Sequence, residues 1–274
     1  LKKLIIRTIT GAVLVLVMIS AIVVSQYSFA LLFLLILIGC ITEFIKLFDQ
    51  SEVKPNRWLT YLSSVTLFIL AFLVAKGNLQ FTVFLGIFPL LLAIMAAEMY
   101  RNSQRPLENI AVSIFSVIYL AVPLSLINFL VFPAISNQHT YSAQFLISLF
   151  ILIWTYDSGA YLFGVSIGRH RLFERISPKK SWEGAVGGTL TAMLAAYIIS
   201  TFIPEIKTIH WIILSILIVI SSTFGDLTES MFKRYVGIKD SGNILPGHGG
   251  MLDRFDSLFF AAPVMVAYLK LFIE

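Results

Sequence analysis

LKKLIIRTITGAVLVLVMISAIVV, Leu1 to Val24, opens the chain. Lys2, Lys3 and Arg7 precede an apolar run, an arrangement that a secretory signal shares with a first membrane helix. The run is long enough to cross a bilayer, which takes about 20 mostly apolar residues. Similar runs follow it, so it reads as a retained span covering approximately 5–24. Eight further candidates lie at approximately 28–48, 58–75, 79–98, 109–132, 143–166, 184–203, 210–224 and 257–273. The eighth span is short and is expected to continue as a helix past Gly225. Composition agrees: the 274 residues are 58% hydrophobic and only 13% charged, where a soluble domain carries about a quarter. The expected fold is all-α, a polytopic integral membrane protein with about nine transmembrane helices.

The basic residues test that count, because cytoplasmic loops of membrane proteins are enriched in Lys and Arg. With the N-terminus cytoplasmic and nine alternating spans, seventeen of the twenty Lys and Arg residues fall on the inside; only Lys76, Lys207 and Lys270 fall outside. A miscounted span would scramble the pattern. The net charge of +5 is therefore spread along one membrane face and does not form a stripe for nucleic acid. The single cysteine, Cys40, lies in an apolar run, which excludes a disulfide within the chain and argues against a Cys/His zinc site. The two longest inside loops, 167–183 and 225–256, are charged, Gly-rich and in the C-terminal half. Residues 1–140 accordingly read as scaffold helices and 141–274 as the working region.

FGDLTESMFKRY, Phe224 to Tyr235, places Asp226, Glu229, Ser230 and Lys233 on one helical face. Such a stripe at a membrane boundary suits metal and phosphate; the plainer alternative is a solvated helix end with an i, i+4 Glu229–Lys233 pair. KDSGNILPGHGGMLDRFDS, Lys239 to Ser257, reads as an irregular loop entering the last helix. Its glycines permit close approach of backbone to a ligand, and free N–H groups at the helix start favour an anion. Asp253 and Asp256 fall i, i+3 there, with Arg254 beside Asp253. In SPKKSWEGAVGG, Ser177 to Gly188, Ser177 reads as a cap and Pro178 as a first helical residue. Lys179 and Lys180 then stand where a phosphate is readily held. Trp182 suits an interface anchor, and Glu183 is either a cap acid or a site residue. Asp157 lies well inside the sixth span, where an acid costs about 2.5–3.5 kcal/mol on insertion scales, so it is a functional candidate. Glu43 and Glu98, nearer the cytoplasmic ends of their spans, read as interfacial acids paired with a nearby Lys or Arg. His139, His170 and His210 read as incidental.

Several carboxylates, several cations and a Gly-rich loop are the components of Mg2+-dependent phosphoryl or nucleotidyl transfer. Ser230-Met-Phe-Lys233-Arg234, Lys239-Asp240, Pro246-Gly-His248-Gly-Gly250 and Asp253-Arg254-Phe-Asp256 together resemble the signature of the phosphatidate cytidylyltransferase (CDP-diacylglycerol synthase) family. Asp157-Ser-Gly-Ala-Tyr161 and Ser177-Pro-Lys-Lys-Ser-Trp-Glu-Gly184 resemble upstream motifs of the same family. The resemblance covers roughly Trp154 to Ser257. It implies the conversion of CTP and phosphatidic acid to CDP-diacylglycerol and pyrophosphate, a step of phospholipid biosynthesis. It further implies Mg2+ held by Asp226 and Asp253, with an additional cation left open. Asp226, Asp253, Lys233, Lys239 and Asp256 become candidate catalytic residues. Lys179, Lys180, Arg234, His248, Gly249, Gly250 and Arg254 become candidate phosphate holders. The implied setting is a homodimer in a bacterial inner membrane, its site facing the cytoplasm, with CTP and bilayer phosphatidic acid as partners and no nucleic acid.

Two other readings compete. A CTP-using polyprenol or phytol kinase would move the γ-phosphate and release CDP. An ion-coupled transporter shares the multiple spans, the intramembrane acid and Gly-broken segments, but predicts an inverted repeat and midplane polar residues, whereas the charge here gathers on one face.

Overall fold

The computed structural model describes residues 2–48, 52–134, 140–238, 241–242 and 249–273, with side chains from Thr8 onward. It is a bundle of antiparallel helices: α1 (Lys2–Val24), α2 (Gln26–Lys46), α3 (Arg57–Ala75), α4 (Ile87–Tyr100) and α5 (Pro106–Ser116), then α6 (Val122–Leu126), α7 (Asn128–Val131) and α8 (Gln144–Ile167). After a small hairpin come α9 (Trp182–Phe202), α10 (Thr208–Tyr235) and α11 (Leu252–Phe272). A 3-10 segment, Phe81–Gly86, leads into α4. Eight helical stretches are long and apolar enough to cross a membrane, and Thr8–Val24 of α1 forms a shorter ninth. All nine spans read from the sequence are present, and α10 does run on past Gly225 to Tyr235.

Helix ends follow local chemistry. Ser25 and Ser28 form a reciprocal capping box at α2, satisfying donors that the helix leaves open. Asn56 caps α3 by accepting the Leu59 N–H at 3.2 Å. The fifth span is composite: α5 passes through a π-helical stretch, Val117–Ala121, into α6. Pro123 follows it; a proline has no N–H to give the ladder, and a widened turn absorbs the mismatch.

The packed centre is aromatic and aliphatic, with Trp211, Phe29, Phe33 and Phe255 buried. Trp211 stacks on Phe145. Many large apolar side chains instead point outward, including Leu16, Leu31, Phe88, Leu92, Leu190 and Leu194, as expected where the surroundings are lipid rather than water. The interface of α8 with α9 is drawn tight by small residues: a Cβ at Gly188 would lie 2.7 Å from the Tyr156 carbonyl. Between α7 and α8, burial pushes the Tyr141 hydroxyl up to about 12, so it remains a donor to the Ile22 carbonyl at 2.5 Å.

One expectation is corrected. Ser177 and Pro178 do not open a helix; they begin β2 (Ser177–Ser181), which pairs antiparallel with β1 (Arg171–Phe173). The cap of α9 is Ser181, whose hydroxyl accepts the Gly184 N–H at 3.1 Å. Lys179 and Lys180 therefore sit on a hairpin strand beside the helices, which is what lets Lys180 reach across to α10.

Candidate active site

The face predicted on α10 exists, and three other elements converge on it. Lys180 Nζ on β2 meets Asp226 Oδ2 at 2.6 Å, while the Ser230 hydroxyl donates to Asp226 Oδ1 at 3.2 Å. One turn further, Lys233 Nζ lies 2.5 Å from Glu229 and 2.7 Å from Asp253 on the first turn of α11. Glu229 is fully buried, and Lys233 is the one cation at its carboxylate among the described residues. A buried carboxylate stripped of its counter-charge is costly, so Lys233 serves as the charge bridge between α10 and α11. About two turns earlier on α10 the two helices touch backbone to backbone: a Cβ at Gly225 would lie 2.5 Å from the Asp256 carbonyl. Glycine there lets Asp226 and Asp256 come into register.

Asp253 is a hub. It accepts the backbone N–H groups of Ser241 at 3.1 Å and Gly250 at 2.8 Å as well as the Lys233 ammonium. Gly249, with φ of +83°, occupies a left-handed conformation that glycine adopts without cost, turning the chain so that Gly250 faces Asp253. The position of Asp256 differs. Its Oδ1 takes the Ser257 N–H at 2.6 Å, and it lies within electrostatic reach of Asp226, Asp157 and Lys180. Asp157 on α8 in turn senses Lys180, Asp226 and Arg254. Asp157, Asp226 and Asp256, on three different helices, thus lie within electrostatic range of one another, with Lys180 in contact with Asp226 and Arg254 nearby.

Magnesium takes oxygen ligands and commonly uses only one or two carboxylates, completing its shell with substrate phosphates and water. The donor set here suits that habit: hard oxygens, excess negative charge and an open cleft. Among the described residues no group of three or more His, Cys, Asp or Glu side chains is placed to hold a metal by itself.

Of the remaining predicted residues, Lys179, Arg234 and Arg254 are exposed at this end, and Arg234 directs its guanidinium toward the Ile238 carbonyl at 3.5 Å. Lys239, Asp240 and His248 lie outside the described residues. Glu183, left open between cap and site, ties down the hairpin: it accepts the N–H groups of Arg169 and His170 at 3.0 and 3.2 Å and meets His170 Nδ1 at 2.6 Å. His170 therefore has a structural partner, as does His210, whose Nδ1 lies 2.8 Å from the Tyr268 hydroxyl. Cys40 is buried and free.

Glu98 pairs with Arg101 at 2.8 Å, as read from the sequence. Among the described residues Glu43 has no cation partner. It is buried, and its Oε2 accepts the Leu252 N–H at 2.8 Å and the Ser241 hydroxyl at 3.2 Å. Sequence reasoning missed it as a site residue; its only local signal was an acid three residues from Lys46, which pointed to the wrong partner.

These features define a polytopic membrane protein with a carboxylate–lysine site at one end of its helix bundle. The chain belongs to the cytidylyltransferase family, whose pattern it matches over residues 5–272. Among curated relatives, a phosphatidate cytidylyltransferase from Haemophilus influenzae is 47% identical over 133 residues, covering 47% of this chain and 46% of the relative. One from Staphylococcus saprophyticus is 44% identical over 124 residues, covering 44% and 47%. In both matches the aligned segment spans about half the length of the relative. One from Staphylococcus haemolyticus is 30% identical over 266 residues, covering 95% of this chain and 96% of the relative.

Proposed function

We propose that this chain transfers the cytidylyl group of CTP to phosphatidic acid, giving CDP-diacylglycerol and pyrophosphate. The observation that carries the reading is the convergence of Lys180–Asp226 and Lys233–Asp253 in a chain whose curated relatives bear that activity in their names. In the reaction a phosphate oxygen of phosphatidate bonds to the α-phosphorus of CTP, and the bond from that phosphorus to the bridging oxygen of the β-phosphate breaks. The nucleophile is already an anion, so the residues need no strong base. Their tasks are to position two anionic reactants and to offset charge as it builds on the leaving group.

Lys180 and Lys179 are placed to hold polyphosphate oxygens. Lys233 keeps α10 and α11 at a fixed separation and keeps Asp253 turned toward Ser241 and Gly250. Asp226 and Asp256 are the acids that would hold Mg2+, with Asp157 adding negative charge beside them. When bound, the metal supplies charge neutralisation at the phosphates. Asp253, implied by the family resemblance as a ligand, would have to loosen its bond to Lys233 to join them. The cytoplasmic N-terminus, the inner-membrane setting with the site on the cytoplasmic face, and the homodimer belong to this proposal: the orientation is supported by the basic-residue asymmetry, the inner-membrane setting by the bacterial relatives, and the homodimer by the family resemblance alone.

The test is pyrophosphate release by purified protein given CTP, phosphatidic acid and Mg2+, with each omitted in turn. Release that needs all three supports the reading. Release of CDP with a phosphorylated lipid would replace it with the kinase reading.

A further inference from the structure

The hairpin joining α8 to α9 carries more positive charge than the site uses. Residues 168–181 hold five Lys and Arg against one acid, Glu174. Lys180 meets Asp226, and Lys179 lines the cleft beside it. Arg169, Arg171 and Arg175 are exposed, without an ion-pair partner among the described residues. Strand β1 has two faces. Leu172 lines the Lys180 cleft, while Arg171 and Phe173 are exposed on the other side.

At the foot of the hairpin, α8 and α9 enclose an apolar groove of about 360 Å3, lined by Phe163, Ile167, Trp182, Val186 and Leu190. It shares no lining residue with the Lys180 cleft. A Cβ at Gly187 would collide with the Phe163 ring, so the glycine makes room for that ring in the groove wall. Val186, Leu190 and Leu194 are exposed along one side of α9, a stripe at helical spacing that faces acyl chains in a spanning helix. Ile167 ends α8 and Trp182 opens α9, which sets the rim at the interfacial level that Trp favours. Arg169 lies two residues past Ile167, and Arg171 pairs with Ser181, next to Trp182. Glu183, the one acid in the lining, is occupied by the N–H groups of Arg169 and His170 and by His170 Nδ1.

Hydrocarbon matches the groove and an anionic headgroup matches its rim; basic pockets between membrane helices characteristically hold anionic lipid heads. A soluble anion gains nothing from the apolar wall. A second apolar groove, lined by Phe44, Phe115 and Phe232, holds about 520 Å3 but lacks this pairing. Arg105, in the cleft adjoining it, is already engaged by Glu52 at 2.7 Å and Glu108 at 3.1 Å.

We infer that the α8–α9 groove binds an anionic bilayer phospholipid that takes no part in the chemistry. One acyl chain lies along Phe163, Ile167, Val186 and Leu190, and the headgroup phosphate meets Arg169 and Arg171. The bound lipid fastens the base of the hairpin to the headgroup layer. A consequence rests on the function proposed above: by fixing the hairpin, the lipid steadies Lys180 against Asp226, so turnover responds to an anionic lipid other than the substrate.

The test uses the full chain in phosphatidylcholine nanodiscs doped with phosphatidylglycerol that carries a diazirine in one acyl chain. Labels are expected on Phe163, Ile167, Val186 and Leu190, above the level on Phe88 and Leu92, exposed residues of α4. Unlabelled phosphatidylglycerol should suppress groove labelling; phosphatidylcholine and inorganic phosphate should not. Arg169→Ala and Arg171→Ala should each lower it about fivefold, the weight of one basic residue at an anionic lipid surface. Labelling of α4 should not change, which checks that the variants are folded. At fixed phosphatidate, added phosphatidylglycerol should raise wild-type turnover about fivefold, the low end of coupling between two sites. The variant carrying both Arg169→Ala and Arg171→Ala should stay at its basal rate. Groove labelling no higher than that of α4, unaffected by either arginine, or displaced by inorganic phosphate would overturn the site. A filled groove with turnover indifferent to phosphatidylglycerol would overturn the link to Lys180. Specific labelling of a chain that makes no CDP-lipid would overturn the proposed activity and leave the lipid site standing.

Discussion

Glu43 Oε2 on α2 accepts the backbone N–H of Leu252, the first residue of α11, at 2.8 Å across 209 positions of sequence. The same oxygen takes the Ser241 hydroxyl, while Asp253 takes the backbone N–H groups of Ser241 and Gly250. Two carboxylates from opposite ends of the chain therefore pin both ends of the segment between Ser241 and Gly250. A Cβ at Gly242 would lie 2.5 Å from Glu43 Oε1, so the fit leaves no room for a side chain.

Glu43→Ala should leave a buried N–H and a buried hydroxyl unpaired, costing about 1–3 kcal/mol for each unsatisfied group, and should cut turnover far more than CTP binding. Glu43→Gln keeps one carbonyl oxygen where both bonds converge and should retain most activity. Equal loss in the two variants, measured by turnover beside thermal unfolding in detergent, would mean that the negative charge itself is required.

Lys233→Met strands Glu229 and Asp253 without their shared cation. Breaking a buried pair in this way typically costs about 3–5 kcal/mol, so a large fall in melting temperature is expected together with loss of turnover. A Lys233→Met protein with unchanged melting temperature would show that the bridge is not structural.

Gly225→Ala should force α10 away from the Asp256 carbonyl. Overpacking of this kind costs about 1–3 kcal/mol, and the displaced pair of Asp226 and Asp256 should need more Mg2+ for half-maximal turnover. A wild-type Mg2+ profile in a folded Gly225→Ala protein would disconnect that helix crossing from the metal.

The bundle was legible because a span needs only composition and length, and the alternation of basic loops checked the count independently. The α10 face was legible because helical spacing alone aligns Asp226, Glu229, Ser230 and Lys233. The hairpin was not. Its strands are three and five residues long, too short for alternation to register, and Ser177-Pro178 mimics a helix start. Glu98 found its arginine three residues away, within reach of local reasoning. The contacts of Glu43 with Ser241 and Leu252, and of Lys180 with Asp226, join segments far apart in sequence, and no local pattern encodes them.

A mutant cycle on Lys180 and Asp226 asks whether their contact matters beyond the helix bundle. Lys180→Met and Asp226→Asn should each reduce turnover, and the double variant should lose less than the product of the two, since groups in contact couple by about 0.5–3 kcal/mol. Strictly multiplicative losses would mean that the two act separately.

The central claim, that the cytidylyl group moves to a lipid phosphate, is tested most directly by following labelled phosphorus. Purified protein would be given phosphatidic acid, Mg2+ and CTP labelled at either the α- or the γ-phosphorus. The account predicts that α-label enters the chloroform-soluble lipid while γ-label leaves as pyrophosphate. Transfer of γ-label to lipid, with α-label remaining in CDP, would contradict it.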